Sequence, residues 1–405
     1  MALLVQKFGG SSVADVSCMR RVAQRVYDTV QAGNSVVVVV SAMGKTTDNL
    51  VSLAREVHAD PADREYDMLL STGEQISISI LSMALHALGA EATAMTGPQA
   101  GIFTDDSHTK AKIIDIQPER VKSELNKGRI VVLAGFQGLN AAQDIATLGR
   151  GGSDLTAVAM AAALEADRCQ IFTDVTGVFT TDPRIEPKAK KLDEIAYDEM
   201  LEMASMGAKV LQSRSVEFAK KYDVELEVLS SFEQTPGTIV KEEVSGMEDV
   251  VVRGVAVDRQ QAKVTITDVV DKPGVAARIF QEIAGRNINV DVIVQSDSKE
   301  GKNDISFTLN ADDVSAAKKV VAEALADVEH HQVHYDDAVA KVSIIGVGMR
   351  SHTGIAFRMF RALADHSINI HMISTSEIRV SVMIDRDKAD DAVRVLHEAF
   401  DLENV

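Results

Sequence analysis

Several residue types are scarce in this chain, and each scarcity excludes a class of protein. The two cysteines, Cys18 and Cys169, cannot form a disulfide framework or a four-cysteine metal site, so a reduced, cytoplasmic setting is expected. Tryptophan is absent and aromatic residues make up 4% of the chain, too few for the stacking surfaces of single-strand nucleic-acid binders. No segment is expected to approach the roughly 18 to 20 apolar residues that cross a bilayer.

Positive charge is also scarce. The chain carries 42 lysines and arginines against 60 aspartates and glutamates, which gives a net charge of −18. Nucleic acids and anionic membranes attract basic surfaces, so neither is expected as a partner. The 405 residues, 46% hydrophobic and 25% charged, are typical of a soluble globular protein with about two to four domains. The classes of protein that remain are an enzyme and a sensor of small molecules.

Up to about residue 230, short apolar runs alternate with helical periodicity. Five consecutive valines at 36–40 predict a strand that is buried on both faces of a parallel sheet. Further strands are predicted at 130–134 and 170–173, with a helix over 153–164 between them. This alternation predicts a doubly wound α/β fold, whose ligands bind beyond the carboxyl ends of the strands.

An internal repeat follows a turn-rich stretch at 235–246. Residues 264–296 and 342–376 align at a shift of 80, so that Gly274 matches Gly354 and Asn289 matches Asn369. Two copies are too few for a solenoid, which needs about three or more repeats. The repeat therefore predicts a pair of βαββαβ modules.

Two glycine-rich loops carry the strongest chemical signal. Lys7, Gly9 and Gly10 follow the first strand, and we expect a phosphate cradle completed by the amides of the next helix, the alternative being a tight turn with an exposed lysine. In the second loop, Arg150 offers a bidentate fork for a carboxylate between glycines. Asp154 follows, where it could orient Lys7 across the cleft.

Other polar stretches are less specific. The loop at 41–47 is not a P-loop, because Val39 stands where that motif requires glycine; its hydroxyls either hold a small polar ligand or cap a helix. The stretch at 71–74 favours an N-terminal helix cap, the alternative being that Glu74 pairs with a substrate ammonium. The segment at 173–184 suits either an adenosine site or a set of turns. No carboxylate or cysteine is spaced to complete a metal site around His330, His331 and His334.

Taken together, these motifs and the repeat resemble the aspartate kinases of the amino-acid kinase family. The motifs are KFGGSS at 7–12, SAMGKTT at 41–47, STGE at 71–74, GRGGSD at 149–154, TDVTGV at 173–178 and DPR at 182–184. The repeat resembles the tandem ACT domains of the monofunctional, lysine-sensitive members, and the resemblance covers essentially the whole chain. One departure is Thr176 and Phe179, where related sequences often carry aspartate and tyrosine. We expect this to change contacts without abolishing ATP binding.

The resemblance implies a fold and its domains. The fold is an α/β/α sandwich with a mainly parallel sheet, followed by two ferredoxin-like βαββαβ ACT domains. The strand over 250–257 would join the second ACT domain, with the first inserted inside it. The expected domains are a catalytic domain over 1–245, a linker and joining strand over 246–263, and ACT domains over 264–338 and 339–405.

The resemblance also implies a reaction and its regulation. Mg-ATP would phosphorylate the side-chain carboxylate of L-aspartate to 4-phospho-L-aspartate, the first step toward lysine, threonine and methionine. Lysine, threonine or both would inhibit at the ACT domains. Those domains would also join a homodimer or tetramer, and Met247 is a candidate internal start for a shorter regulatory subunit.

The resemblance assigns residues to each role. Lys7 and Asp154 are catalytic, and no residue is assigned to a metal, so ATP phosphates and water would hold Mg²⁺. The substrate residues are Ser41, Lys45, Thr46, Thr47, Glu74, Arg150, Gly151, Gly152 and Ser153. The ATP residues are Lys7, Phe8, Gly9, Gly10, Ser11, Thr173, Asp174, Phe179, Asp182, Arg184 and Lys209. The effector residues are Asp271, Lys272, Pro273, Gly274, Val275, Ala276, Asn289, Val290, Asp291, Gln295, Gly354, Ile355, Asn369, Ile370 and Ser376.

The chemistry of the loops agrees with this assignment. A carboxylate nucleophile, with a free pKa of about 3.9, is ionised at neutral pH and needs no general base. None of the loops supplies a histidine as a general base, whereas a kinase that phosphorylates an alcohol would need a base near the hydroxyl. Two alternatives stay open: a glutamate or acetylglutamate kinase of the same fold, and a non-catalytic amino-acid sensor on a kinase scaffold.

Overall fold

The computed structural model describes residues 2–205, 210–242, 244, 252–286, 288–326, 328, 332–347, 349 and 352–405. Lys209, Met247, His330, His331 and the start of the strand predicted over 250–257 lie outside the described residues. The described chain divides into two compact units. The N-terminal unit comprises 2–179, 191–205 and 210–242, and the C-terminal unit comprises 180–190 together with the described residues from 252 onward.

The N-terminal unit is built on an eight-stranded sheet. Its strands and helices are β1 (Leu3–Phe8), α1 (Val16–Gln31), β2 (Ser35–Val40), α2 (Thr46–Val57), α3 (Asp63–Ala87), β3 (Ala92–Met95), β4 (Ile102–Thr104), β5 (Ile113–Ile116), α4 (Glu119–Leu125), β6 (Ile130–Ala134), β7 (Gln137–Leu139), β8 (Ile145–Thr147), α5 (Gly152–Leu164), β9 (Arg168–Thr173), β10 (Glu194–Ala196), α6 (Tyr197–Ser205), α7 (Ser213–Tyr222), β11 (Leu226–Ser230) and β12 (Thr238–Lys241). The sheet order is β10-β12-β11-β9-β1-β2-β6-β3, and β4, β5, β7 and β8 form a smaller sheet.

The large sheet is mainly parallel, as the sequence predicts. β1 lies between β2 and β9 and pairs with both in parallel, so Lys7 stands opposite Val39 and Ile171. The one antiparallel pair in this sheet, among the described strands, joins β11 to β12. The valines of β2 are fully buried because helices cover both faces of a parallel sheet. The strands predicted at 36–40, 130–134 and 170–173 and the helix predicted over 153–164 are confirmed.

Two helix starts bear on the predictions. The stretch at 71–74 lies in the middle of the 25-residue helix α3, so its prediction as an N-terminal cap is wrong. The helix α1 begins at Val16, and the Asp15 side chain accepts a hydrogen bond from the Cys18 amide. The Cys18 amide is therefore bound by a carboxylate of this chain, and the expectation that the amides of α1 complete the Lys7 loop stays a prediction.

The helix α3 also corrects the expectation about long apolar segments. By length and composition it could cross a membrane, and it is the one such helix in the described part of the chain. Half of its most apolar stretch is buried inside the protein, and it carries the buried carboxyl groups of Asp67 and Glu74. A core helix satisfies the same criteria of length and composition, so this helix is weak evidence for a membrane span.

The C-terminal unit contains two four-stranded antiparallel sheets with helices on them. Its elements are β13 (Gly254–Asp258), β14 (Gln261–Val270), α8 (Val275–Gly285), β15 (Val290–Gln295), β16 (Lys302–Asn310), α9 (Val314–Ala324), β17 (Gln332–Asp336), β18 (Val339–Ile345), α10 (Ile355–Asp365), β19 (Met372–Thr375), β20 (Arg379–Asp385) and α11 (Ala389–Ala399). The first module has the sheet order β15-β16-β14-β17, and the second has the order β13-β18-β20-β19.

The second module takes its fourth strand from a distant part of the chain. β13 precedes the whole first module in sequence, yet it pairs with β18, with Gly254 opposite Ile345. The first module is therefore inserted within the second. The two modules also contact each other, since Lys341 on β18 is buried and pairs with Asp291 on β15.

The segment 180–190 packs with the second module, although the chain on both sides of it belongs to the N-terminal unit. Ile185 joins the apolar core under α10 and α11, and Arg394 donates to its carbonyl oxygen at 3.1 Å. The Thr180 hydroxyl lies 3.0 Å from Nε2 of the buried His397. The expected domain boundaries stay predictions. They did not assign residues 180–190 to the C-terminal unit.

Candidate active site

A buried ion pair stands at the carboxyl end of β1. The Lys7 ammonium lies 2.5 Å from Oδ1 of Asp154, and the two side chains are 12% and 11% exposed. Asp154 is in the first turn of α5, which packs on β1. The structure thus brings together the two residues predicted to be catalytic. Lys7 therefore places its side-chain nitrogen at this rim, held in position by the Asp154 carboxyl group.

The loop after β1 makes a close contact with the loop after β2. Gly10 accepts a hydrogen bond from the Gly44 amide at 3.1 Å, and a Cβ at Gly10 would lie 3.1 Å from the carbonyl oxygen of Ala42. The amides of Gly10 and Ser11 donate to no acceptor in the described part of the chain. Free amides beside a lysine form a site that suits phosphate oxygens. The assignment of this loop to the ATP phosphates stays a prediction.

Glu74 is a buried carboxyl group in the middle of α3. It is 3% exposed, its Oε1 accepts a hydrogen bond from the Ala42 amide at 3.0 Å, and its Oε2 is buried with no partner among the described residues. Burial raises the pKa of Glu74 to about 7, although the amide hydrogen bonds oppose this shift. An unpaired buried oxygen is unfavourable unless a ligand supplies a donor. The geometry therefore favours the second interpretation of this stretch, a site for a cation.

A glycine permits the contact between α3 and the loop after β2. A Cβ at Gly73 would lie 2.9 Å from the Cβ of Ala42, closer than side chains approach one another. In the same loop, the Thr46 hydroxyl donates to the Met43 carbonyl oxygen at 2.7 Å, and no side chain caps α2. The alternative that these hydroxyls cap the helix is therefore not observed. Lys45 is exposed, and Ser41 and Thr47 are half-buried at the same rim.

Arg150 lies on a constrained loop immediately before α5. Gly149 and Gly151, on either side of it, have φ angles of +79° and +74°, which favour glycine. The Arg150 carbonyl oxygen accepts a hydrogen bond from the Gln212 side chain at 3.1 Å, and a Cβ at Gly151 would lie 2.6 Å from Cγ of Gln212. The Arg150 side chain is exposed, as a residue that receives a ligand would be. Ser153 is buried, and a Cβ at Gly135 would lie 2.7 Å from its hydroxyl.

The residues predicted to hold the nucleotide fall into three groups. Thr173 is the last residue of β9, which lies next to β1, and Asp174 follows it. The Thr173 hydroxyl donates to the Asp174 carboxylate at 3.1 Å. Phe8 and Phe172 stack nearby with ring centroids 4.5 Å apart. Phe179 is half-buried in the N-terminal unit.

Asp182 and Arg184 form the second group. They belong to the C-terminal unit, where Arg184 donates to the Asp182 carboxylate at 2.7 Å. That hydrogen bond is the main cause of the lowered pKa of Asp182. The third group, Lys209, lies outside the described residues. The assignment of Asp182, Arg184 and Lys209 to the nucleotide stays a prediction.

The residues predicted to bind an effector lie at corresponding places in the two modules of the C-terminal unit. Gly274 and Gly354 precede α8 and α10 with φ angles of +98° and +93°. In the first module, a cavity of about 840 Å³ is lined by Lys272, Pro273, Gly274 and Val275, among others. Asn289, Gln295, Asn369 and Ser376 are exposed, Val290, Ile355 and Ile370 are half-buried, and Asp291 is in the ion pair with Lys341.

Some residues of the site carry no signal in the sequence. Ala42 contributes its backbone amide, which any residue type would supply. Asp67, Gln212 and Arg214 hold loops of the site through hydrogen bonds to distant segments. Only the folded chain brings these partners together.

Comparisons with known proteins place the chain in a family. Residues 2–230 match the model of the amino acid kinase family, and residues 265–325 and 342–400 match an ACT domain model. The chain therefore belongs to the amino acid kinase family. Aspartokinase from Mycolicibacterium smegmatis is 52% identical over 407 residues, covering 99% of this chain and 97% of the relative. Aspartokinase from Pseudomonas aeruginosa is 51% identical, covering 100% and 98%.

Solved structures agree with this assignment. Escherichia coli aspartokinase III in complex with aspartate and ADP, in the R-state, has a TM-score of 0.83 and 27% identity, covering 98% of this chain and 99% of that one. The same enzyme in complex with lysine and aspartate, in the T-state, has a TM-score of 0.77. Within the family, the chain stands among the aspartokinases, and it is a kinase.

Proposed function

We propose that this chain transfers the γ-phosphoryl group of ATP to the side-chain carboxylate of L-aspartate, forming 4-phospho-L-aspartate and ADP. The observation that carries the proposal is the buried, unpaired Oε2 of Glu74, at the same sheet rim as the Lys7–Asp154 pair. A buried carboxylate oxygen with no partner among the described residues suits the ammonium of an unmodified amino acid. The relatives support the choice of substrate, since their names and the aspartate and ADP complex specify aspartate kinases.

One group of residues would bind aspartate, and another would bind ATP. Glu74 would accept hydrogen bonds from the aspartate ammonium, and Arg150 would form a bidentate pair with a carboxylate. Ser41, Thr47 and the loop from Gly151 to Ser153 would complete the amino-acid site. The Gly10 and Ser11 amides and Lys7 would bind the ATP phosphates, with Thr173, Asp174 and Phe179 near the nucleoside.

The chemical step needs charge neutralisation more than proton transfer. The attacking carboxylate is ionised at neutral pH, so no general base has to act on it. Two anions have to approach in line, and Lys7 and the loop amides would stabilise the charge on the phosphoryl oxygens. Asp154 fixes Lys7 at 2.5 Å and lies where it could also orient a cation.

Mg²⁺ would accompany ATP and neutralise its phosphates. No group of three or more His, Cys, Asp or Glu side chains that could hold a metal occurs among the described residues. A cation held mainly by phosphates and water fits such a site, because Mg²⁺ commonly keeps several waters.

We further propose that the ACT modules bind lysine, threonine or both and inhibit the kinase. The cavity beside Gly274 and its counterpart position at Gly354 support this proposal. The enzyme would act in a cytoplasmic pathway to lysine, threonine and methionine and would self-associate through these modules, with a start at Met247 providing a shorter subunit. Titration calorimetry with lysine and threonine, separately and together, tests the choice of effector. Absence of binding heat with either amino acid would exclude both as effectors.

A substrate panel tests the reaction. Purified protein is expected to release ADP and form a hydroxamate with aspartate, but not with glutamate or N-acetylglutamate. Hydroxamate formation with either of the latter, and not with aspartate, would instead establish another amino-acid kinase. Absence of ADP release with all three would support a non-catalytic sensor.

Lys7→Ala provides the matched variant for this test. Its turnover is expected to fall below detection, because the charge that neutralises the phosphoryl group is removed and Asp154 is left unpaired. Effector binding, measured by calorimetry, is expected to persist and shows that the protein is folded. Full activity of this variant would refute the role of Lys7.

A further inference from the structure

Asp67 is a buried carboxyl group that the proposed chemistry does not use. It is fully buried on α3, and both of its oxygens accept hydrogen bonds. Oδ1 accepts from the Thr147 hydroxyl at 2.5 Å, and Oδ2 accepts from the Thr147 amide at 3.0 Å and the Thr109 amide at 2.9 Å. Nδ1 of His108 lies 2.9 Å from the same oxygen. A carboxyl group with this many partners fixes the segments that carry them.

The segments held by Asp67 lead directly to the Arg150 loop. Thr147 ends β8, three residues before Arg150. Thr109 has a φ angle of +63°, an unfavourable conformation for a β-branched residue, and its hydrogen bond to Asp67 helps to hold it. Its carbonyl oxygen would lie 3.1 Å from a Cβ at Gly149, so the segment packs against the residue next to Arg150.

A second set of hydrogen bonds holds the same loop, and it comes from a residue that follows the loop in sequence. The guanidinium of Arg214, at the start of α7, donates to the carbonyl oxygens of Leu148 and Ala111 at 2.8 and 3.0 Å. The Leu148 amide in turn donates to the Phe136 carbonyl oxygen at 2.8 Å. The backbone leading to Arg150 is thus held at successive residues, and Asp67 supplies its connection to α3.

Asp67 and Glu74 lie on one face of the same helix. Seven residues separate them, which is two helical turns, or about 10.5 Å along the axis. Glu74 would receive the substrate ammonium and Arg150 a carboxylate, so α3 carries one of these contacts and, through Asp67, holds the loop that carries the other. We infer that Asp67 is a positioning residue that ties the Arg150 loop to α3 and so keeps Arg150 and Glu74 in place to bind one aspartate molecule. The inference rests on the proposed function.

Two variants test the inference. Thr147→Val keeps the shape of a buried side chain but removes its hydroxyl donor, and Asp67→Asn replaces an acceptor oxygen by a donor group. We expect kcat/KM for aspartate to fall about 10- to 100-fold in both, as for a misplaced binding group, while the KM for ATP changes less than about twofold. The dissociation constant for aspartate, measured by calorimetry, is expected to rise in both variants, because the Arg150 loop is less well held.

Two further variants serve as controls. Thr147→Ser retains the hydroxyl and is expected to restore the aspartate kinetics. Glu199→Gln changes another fully buried carboxyl group of the N-terminal unit, one that accepts from the Ala196 amide at 3.3 Å, and is expected to leave the KM for aspartate unchanged. Should Asp67→Asn fail to fold, Thr147→Val decides the question.

The outcomes separate this inference from the proposed function. Unchanged aspartate kinetics in folded Thr147→Val and Asp67→Asn, or equal losses for aspartate and ATP, would overturn the positioning role. Arg150→Ala with an unchanged KM for aspartate would instead refute the substrate assignment of Arg150. A large effect of Arg150→Ala with none from the two variants overturns the inference alone.

Discussion

At the scale of single residues, Glu74 shows how an environment can give a common side chain an uncommon property. The sequence identifies the residue as a candidate, because it stands in one of the family motifs. Its depth, its bond to the Ala42 amide and its unpaired Oε2 depend on segments far apart in the chain. Local sequence therefore predicted the residue type of the site but assigned the wrong structural setting, a helix cap.

The first prediction concerns the charge of Glu74. Glu74→Gln is expected to raise the KM for aspartate about 10- to 100-fold, since a hydrogen bond to a charged group is worth about 1.5–3 kcal/mol. In the parent, kcat/KM for aspartate is expected to fall as the pH decreases below about 7, where Glu74 becomes protonated. Initial rates between pH 5.5 and 9 measure both effects. Glu65→Gln, at an exposed position of the same helix, is the control with parent kinetics.

The same carboxyl group has a consequence for stability. Its pKa is raised from 4.5 to about 7 in the folded protein, so between these values the folded state binds more protons than the unfolded state. The ionised form therefore lowers stability as the pH rises through this window. Glu74→Gln is expected to be more stable than the parent at pH 8, by about 3 kcal/mol, and to lose that advantage toward pH 4.5. Urea denaturation at the two pH values measures this; an equal difference at both would contradict it.

At the scale of elements, the strands were predicted more closely than the helix α3. A run of five valines can form few other structures, and its position follows from the run itself. In α3, the residues Ser71, Thr72 and Gly73 are poor helix formers that favour caps and turns. They are helical because the whole face of α3 packs against the sheet and the loop after β2, which a local pattern does not contain.

The second prediction concerns Gly73. Alanine is favoured over glycine in a helix interior by about 1 kcal/mol, yet a Cβ here would lie 2.9 Å from the Cβ of Ala42. Gly73→Ala is therefore expected to displace the loop after β2, weaken the bond between Glu74 and the Ala42 amide, and raise the KM for aspartate about tenfold. Steady-state kinetics and thermal unfolding measure the two effects.

Gly285 offers a matched control for Gly73. It is the last residue of α8, and a Cβ built there meets nothing within 4 Å. Gly285→Ala is expected to stabilise the protein by about 0.5–1 kcal/mol and to leave the KM for aspartate unchanged. A Gly73→Ala variant that behaved like Gly285→Ala would show that the close contact has no role in substrate binding.

At the scale of the whole molecule, the repeat in the sequence predicted two similar modules, and the structure contains them. The sequence of 180–190 did not predict that this segment belongs to the C-terminal unit, because its turn-forming residues suit many environments. Its membership of the C-terminal unit follows from the burial of Ile185 and the contacts of Thr180 and Arg394. Sequence similarity alone assigns this segment to the kinase family model, which spans 2–230.

The third prediction tests that membership. Ile185→Ala is expected to destabilise the C-terminal unit by about 2–5 kcal/mol, the cost of a large-to-small change in a core. Hydrogen exchange measured by mass spectrometry should then speed up in β18 and β20 while β9 and β11 keep their protection. Ile195→Ala, at a buried position on β10 of the N-terminal unit, is expected to give the reverse pattern. Faster hydrogen exchange in the same strands of both variants would contradict the assignment of 180–190 to the C-terminal unit.

The insertion of one ACT module into the other leaves both of its connections very short. Arg259 and Gln260 join β13 to β14, and Asp337 and Ala338 join β17 to β18. Since β13 and β18 are antiparallel neighbours with Asp258 opposite Lys341, deleting 261–338 would close them into a β-hairpin with a four-residue turn. The remaining module would keep all four of its strands after this one excision. Cutting the chain after 338 would instead leave β13 without its partner β18.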